Sequence, residues 1–280
     1  MTPEGEPLLG ARRLREVLDA RGIRPSKALG QNFVTDPNTI RKIVDVARLS
    51  SNDRVLEIGA GAGSLTLGLA AVAQKVIAVE LDRHLVPVLQ ETVGHTSNVE
   101  VVHGDALEIP MDALDVNKLV GNLPYNIATQ VVLRALEEAP QIDDLTVMTQ
   151  REVGERLAAG PGSKTYGQTS VMVAFFASAV LAATISRRVF YPVPNVDSVL
   201  LRIVRRPVPA DVDRALLFSL IRAAFSQRRK NLRNTLASLA GSASNAERVL
   251  RAAEIDPELR GETLALDDFM RLSRTFATSR

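Results

Sequence analysis

The sequence predicts an α/β protein: a doubly wound, mainly parallel sheet with an antiparallel pair at one edge, followed by a small all-helical C-terminal domain. Three observations carry this. From Arg54 onward, short β-branched runs alternate with stretches long enough for crossover helices, the pattern of a parallel sheet covered on both faces. The last two apolar runs are separated only by Phe190-Tyr191-Pro192-Val193-Pro194-Asn195, too short and too Pro-rich for a crossover, so an antiparallel pair fits. From Asp211 the chain reads as helices only, and the boundary is placed near Pro207–Pro209, giving expected domains 1–207 and 208–280.

Taken in order, a first helix is expected around Ala11–Ala20, with Leu14, Val17 and Leu18 on one face. Lys27-Ala28-Leu29-Gly30-Gln31-Asn32-Phe33 reads as a polar loop. Asp36-Pro37 supplies an N-cap and a proline at the first helical position, and Ile40, Ile43, Val44 and Ala47 follow at helical spacing. The parallel strands are Val55–Ile58, Val76–Val79, Val99–Val102, Lys118–Val120 and Leu145–Met148, and the edge pair is Ala179–Ser186 with Ser198–Val204.

Composition sets modest bounds. The 280 residues are 46% hydrophobic and only 4% aromatic, as expected for an ordinary globular chain with a sizeable core. Formal charge is +2 although the pI is about 9.1, so any attraction to a polyanion must come from local patches. The absence of cysteine excludes disulfides and thiolate metal sites; no metal is expected. No apolar run approaches the length of a membrane span, and Met1-Thr2-Pro3-Glu4-Gly5-Glu6 lacks the basic start and apolar core of a signal peptide. A cytoplasmic protein is the simplest expectation.

The chemistry is concentrated at strand ends. Gly121-Asn122-Leu123-Pro124-Tyr125 closes the fourth parallel strand. The Asn122 side-chain oxygen and the Leu123 carbonyl can both accept from an NH2 group, Pro124 fixes its own φ and removes a competing donor, and Tyr125 can lie against a ring. That suits a planar base with an exocyclic amine; a plain strand-to-helix turn is the structural alternative. Glu57-Ile58-Gly59-Ala60-Gly61-Ala62-Gly63 follows the first parallel strand, with glycines that allow a tight turn and close ligand approach. A dinucleotide fingerprint wants Gly or Ala where Ser64 stands, and no Gly-Lys-Ser/Thr follows to make a P-loop. Glu80 ends the second strand about 20 residues on, where an acid accepts from ribose hydroxyls. Asp105 ends the third, where a carboxylate can accept from an adenine amine.

These motifs, with Gln31-Asn32-Phe33, Gly104-Asp105-Ala106, Phe190 through Ser198, and Phe225 through Asn234, resemble the small-subunit ribosomal RNA adenine N6,N6-dimethyltransferases over nearly the whole length. The resemblance implies a Rossmann-like methyltransferase sheet dependent on S-adenosylmethionine (SAM). It implies SAM contacts from Gln31, Asn32, Val34, Gly59, Gly61, Glu80, Asp105, Ala106 and Asn122, and catalytic roles for Asn122, Leu123, Pro124, Tyr125 and Phe190. It implies dimethylation of two adjacent adenosines near the 3′ end of small-subunit (16S) RNA, with the assembling small subunit as partner and the enzyme a monomer. Phe190 is expected to cover the second face of the base. The histidines His84, His95 and His103 read as surface or strand-end residues.

The basic cluster Arg222, Arg228, Arg229, Lys230 and Arg233 is the expected RNA contact, with positions 222, 229 and 233 at helical spacings. Arg187, Arg188, Arg205 and Arg206 also suit phosphates. The extension before Gly30 has no assigned role. Three alternatives stand beside this reading: a large-subunit methyltransferase of the antibiotic-resistance class, a DNA adenine methyltransferase, and a ribosome-assembly binding factor without turnover. The DNA enzymes usually carry an acid in place of Asn122 and a second proline in place of Leu123, which counts against them.

Overall fold

The computed structural model describes residues 8–26 and 29–279. Its strands are β1 (Phe33–Val34), β2 (Arg54–Ile58), β3 (Lys75–Glu80), β4 (Val99–His103), β5 (Lys118–Asn122), β6 (Asp144–Gln150), β7 (Ala177–Ile185), β8 (Phe190–Tyr191) and β9 (Ser198–Arg205). Its α-helices are α1 (Ala11–Ala20), α2 (Pro37–Ala47), α3 (Ser64–Ala70), α4 (Val86–Val93), α5 (Ala128–Glu138), α6 (Arg151–Leu157), α7 (Gln168–Phe176), α8 (Arg214–Phe225), α9 (Leu232–Thr235), α10 (Ala237–Ala240), α11 (Ala243–Ala252) and α12 (Leu266–Thr278).

The chain divides into two compact units. The first comprises the residues up to Gly154 together with Ala179–Arg205; the second comprises Glu155–Ser178 and the residues from Arg206 on. The expected first domain, 1–207, differs from this at residues 206–207 and at 155–178, which pack with the C-terminal helices. The segment 155–178 comprises the end of α6, a polar turn and α7, and its partners in the second unit are far along the chain.

In the first unit seven strands lie in the order β4-β3-β2-β5-β6-β9-β7. Strands β2 to β6 are mutually parallel, with Leu56 opposite both Ile77 and Leu119. The apolar side chains of β2, β3, β5 and β6 are buried on both faces, as a parallel sheet requires, while those of the edge strand β4 are half-buried. Strand β9 runs antiparallel to β6 with Val147 opposite Leu201, and β7 completes the edge. Helix α1 buries Leu14 and Leu18, one turn apart. Helix α2 begins where Asp36 accepts from the N–H groups of Asn38 and Thr39 at 3.2 and 3.0 Å and stops at Arg48 with φ +48°. Phe33, expected in a loop, is instead in β1, paired antiparallel with β8 as Phe33–Tyr191 and Val34–Phe190. Two residues show no period, and their partner lies far along the sequence.

The second unit is helical apart from the first two residues of β7. Its core includes Phe175, Phe176 and Phe218, packed edge to face at 5.1–5.8 Å between ring centres. Tyr166 packs on Phe225 and donates to the Leu264 carbonyl at 2.7 Å. Helix α8 is capped by Asp213, which accepts from Ala215 and Leu216.

Candidate functional site

The strand order turns back at β2: β3 and β4 lie on one side of it, β5 and β6 on the other. In open α/β sheets the crevice at the carboxyl ends of such strands takes ligands. Here the loops after β2 and β5 meet closely enough that a Cβ on Gly59 would lie 3.5 Å from both the Asn122 carbonyl and Pro124. A cleft opens at this point. Its walls include Gln31, Asn32, Gly59, Gly61, Glu80, Ala106 and the run Asn122 to Tyr125. Ten of the predicted residues thus share one cavity.

One wall is the glycine loop with the tip of β3. Gly59, Gly61 and Gly63 all have positive φ, at +75°, +59° and +91°, which L side chains rarely adopt. The Gly61 N–H donates to one Glu80 carboxylate oxygen at 2.7 Å and the Asp82 N–H to the other at 2.8 Å. Glu80 is therefore the clasp of the loop as well as an acid at the cleft. Burial raises its carboxyl, and the two backbone donors partly offset this. The phenyl ring of Phe33 lies where a side chain on Gly61 would stand, 2.9 Å from the Cβ position. Gln31 braces the entrance: its amide donates to Asp82 at 2.8 Å and its oxygen accepts from the Ser26 N–H at 2.7 Å.

The opposite wall is the Asn122 to Tyr125 run. The Asn122 amide nitrogen donates to the Asn32 carbonyl at 2.8 Å. Fixing the nitrogen this way leaves the side-chain oxygen as an acceptor in the cleft. The Leu123 N–H is used by the Met148 carbonyl at 3.0 Å and Pro124 has none, so neither residue offers a competing donor. Tyr125 is fixed through its hydroxyl, 3.2 Å from that of buried Ser198.

Behind the glycine loop lies a second, smaller hollow of about 320 Å³ whose walls include Val34, Glu57, Ser64 and Asn122. Glu57 is 1% exposed, and one of its oxygens has no hydrogen-bond partner among the described residues. Burial pushes its carboxyl up to about 8. Neighbouring Thr66 offsets this in part, although its hydroxyl falls short of full hydrogen-bond geometry, and the charge of Glu80 adds to the rise. The fold thus keeps a proton that the unfolded chain gives up near the ordinary Glu value. Stability from this residue is intact below that value and is lost as pH rises toward 8. Glu57→Gln should remove the loss, so its stability relative to the parent should climb by about 1.4 kcal/mol per pH unit across that window. Urea denaturation at several pH values measures this; a pH-independent difference would mean that Glu57 is ionised in the fold.

Three expected residues stand apart from the main cleft. Val34 lines the smaller hollow. The Asp105 side chain accepts from the Leu107 N–H at 2.8 Å; it sits between the lining residues Gly104 and Ala106 without lining the cleft itself. Phe190, expected over the base, is 2% exposed and packed in the core with Val34, Leu14 and Leu18, because its side chain faces inward from β8. Sequence reasoning also missed Arg134 of α5, which donates to the Ala106 and Ile109 carbonyls at 2.9 and 2.6 Å and holds the loop after β4. In the second unit, Arg222 lies on α8, whereas Arg228, Arg229 and Lys230 lie in the turn after it. The helix ends at Phe225 and Asn231 caps the next one, so positions 222, 229 and 233 do not share a helix face. Arg233 is paired with Glu247 at 3.2 Å.

This arrangement has close counterparts. The model of the family described as ribosomal RNA adenine dimethylase matches residues 23–277. The chain belongs to the ribosomal RNA adenine dimethylase family. It is 46% identical over 272 residues to the ribosomal RNA small subunit methyltransferase A of Acidothermus cellulolyticus, covering 95% of this chain and 94% of that one. It is 47% identical to the protein of the same description from Thermobifida fusca, covering 93% of each. Among solved structures it is similar to a dimethyladenosine transferase from Plasmodium falciparum, with TM-score 0.77, 25% identity, and 87% of this chain and 96% of that one covered. The 23S rRNA methyltransferase ErmE follows with TM-score 0.69, 28% identity, and 88% and 100% coverage. These rRNA adenine dimethylase relatives match the fold expected from the sequence, a Rossmann-like methyltransferase sheet with a helical C-terminal region. Among the described residues no group of His, Cys, Asp or Glu is arranged to hold a metal, and no helix is long and apolar enough to cross a membrane.

Proposed function

We propose that this chain transfers methyl groups from SAM to N6 of two adjacent adenosines near the 3′ end of small-subunit ribosomal RNA, on assembling subunits in the cytoplasm. The observation that carries the reading is the anchored Asn122 amide, which leaves an acceptor in the cleft opposite the glycine loop. The residues fit the cofactor. The glycine loop gives close backbone approach, Glu80 is placed for the ribose, the Gly104–Ala106 tip for the adenine, and Gln31 and Asn32 for the remaining edge. SAM supplies an activated methyl on a sulfonium cation when bound.

The chain's own task is to orient the nucleophile. The adenine N6 lone pair is delocalised into the ring, so N6 is a poor nucleophile. Acceptors on its hydrogens, from Asn122 and the Leu123 carbonyl, favour a pyramidal nitrogen whose lone pair points at the methyl. This is catalysis by orientation and electrostatics, with Tyr125 packed against the base, which must leave any stack to arrive. Mass mapping of methylated adenosines, after incubating unmodified small subunits with labelled SAM, tests the reading. Methylation of large-subunit RNA instead, or subunit binding without methyl transfer, would overturn it.

RNA attraction in the second unit falls to Arg228, Arg229 and Lys230, which are exposed, with Arg222 beside them and Arg233 partly neutralised by Glu247. Reversing Arg228 and Arg229 to Glu should weaken subunit binding, flatten its salt dependence by about one per lost phosphate contact and leave SAM affinity intact. Parallel salt titrations of parent and variant measure this; equal slopes would make the cluster a solvated turn.

A further inference from the structure

The helix ahead of the cleft motifs carries an unusual charge. Arg12, Arg13 and Arg15 lie on α1, Arg21 and Arg24 follow it, and no Lys occurs among residues 8–26. Leu14 and Leu18 dock the helix into the same core as Phe33 and Phe190, which leaves the five arginines exposed. Arg12 is matched by Glu16 and Arg21 by Glu91. Among the described residues, Arg13, Arg15, Arg24 and Arg188 have no ion pair.

The Arg15 guanidinium lies over the ring of Tyr191, 4.9 Å from its centre. Tyr191 pairs with Phe33 across β1 and β8, and Phe33 lines the cleft next to Gln31 and Asn32. Just before Tyr191, Arg187 and Arg188 are exposed on a short turn. Asp197 accepts from the Arg187 backbone N–H and is shared with Arg151. Arg15 and Arg188 therefore adjoin the β1–β8 edge of the cleft within the first unit, whereas Arg13, two residues from Arg15, lies on the other flank of the Leu14/Leu18 stripe.

Arginine suits this place better than lysine because its planar group meets phosphate oxygens in pairs and stacks on rings. We propose that α1 and the 187–191 turn form a phosphate-binding surface that holds the RNA strand flanking the target adenosine. The surface positions RNA through its backbone and reads no sequence, and the Arg15–Tyr191 stack fixes the helix against the strand that borders the cleft. This inference rests on the proposed RNA reading.

The test compares the full-length parent with Arg15→Glu/Arg188→Glu, and with Arg15→Gln/Arg188→Gln in case charge reversal disturbs folding. The readouts are salt titrations of binding to unmodified small subunits, SAM affinity by calorimetry, and single-turnover methylation at saturating RNA. The expected result is a salt slope lower by about two in either variant, with SAM affinity and the saturated rate unchanged. An unchanged slope and RNA affinity in both variants would overturn the surface while leaving the proposed function intact, since the parent's own methylation of subunits is scored in the same experiment. Failure of the parent to bind or methylate subunits overturns the function and this surface together. Stronger parent binding to phosphatidylserine vesicles than to subunits would assign the strip to lipid and overturn the RNA surface.

Discussion

Asn122→Ala is expected to slow methyl transfer on the order of 100-fold at saturating cofactor and RNA, the scale seen when one preorganised polar contact to a reacting group is removed. The side chain does two things at once: its oxygen faces the cleft, and its nitrogen holds the Asn32 carbonyl. Alanine loses both. Asn122→Asp restores an acceptor, yet sets a carboxylate oxygen against the Asn32 carbonyl, so it should recover little. RNA affinity should change far less than rate, because the proposed phosphate contacts lie elsewhere. Single-turnover measurement at saturating SAM separates the two, and a rate within about twofold of the parent would remove Asn122 from the mechanism.

Loss of cofactor affinity is the expected outcome for Glu80→Ala. The substitution removes an acceptor for the ribose and strands the N–H groups of Gly61 and Asp82, which Glu80 now holds at 2.7 and 2.8 Å. Hydrogen bonds to a charged group contribute about 1.5–3 kcal/mol, so SAM should bind roughly 10- to 150-fold more weakly. Glu80→Gln keeps the shape but can hold only one of the two N–H groups, and should fall between. Asp105→Ala probes the adenine edge independently. Calorimetry giving unchanged SAM affinity in both Glu80→Ala and Asp105→Ala would sink the cofactor assignment.

Much of this was legible in the residues. Asp36-Pro37 capped a helix, each β-branched run became a strand, and the ends of the first four parallel strands line the cleft, because such signals are local and strong. The pairing of Phe33 with Tyr191 was not legible: two residues carry no period, and only tertiary packing brings them together. The inward turn of Phe190 follows from that pairing, since its register beside Val34 points it to the core. The basic cluster was visible as composition, but its geometry was not. Helix α8 stops at Phe225, and spacing alone cannot see a stop that Asn231 makes by capping the next helix. Glu57 stood in full view within the glycine motif; what sequence could not show was that its carboxyl would be sealed from water with one oxygen unmatched.

The segment 155–178 leaves the first unit and joins the second before the chain returns to build the sheet edge. The helical unit is thus discontinuous, and a gene cut at the 207/208 boundary would not yield a self-sufficient catalytic fragment. Such a fragment would carry α7 with Phe175 and Phe176 stripped of Phe218, an apolar face with nothing to cover it. During synthesis the same face emerges ahead of its partner and must wait for α8. Transplanting the C-terminal region between relatives would therefore succeed only if residues 155–178 travelled with it.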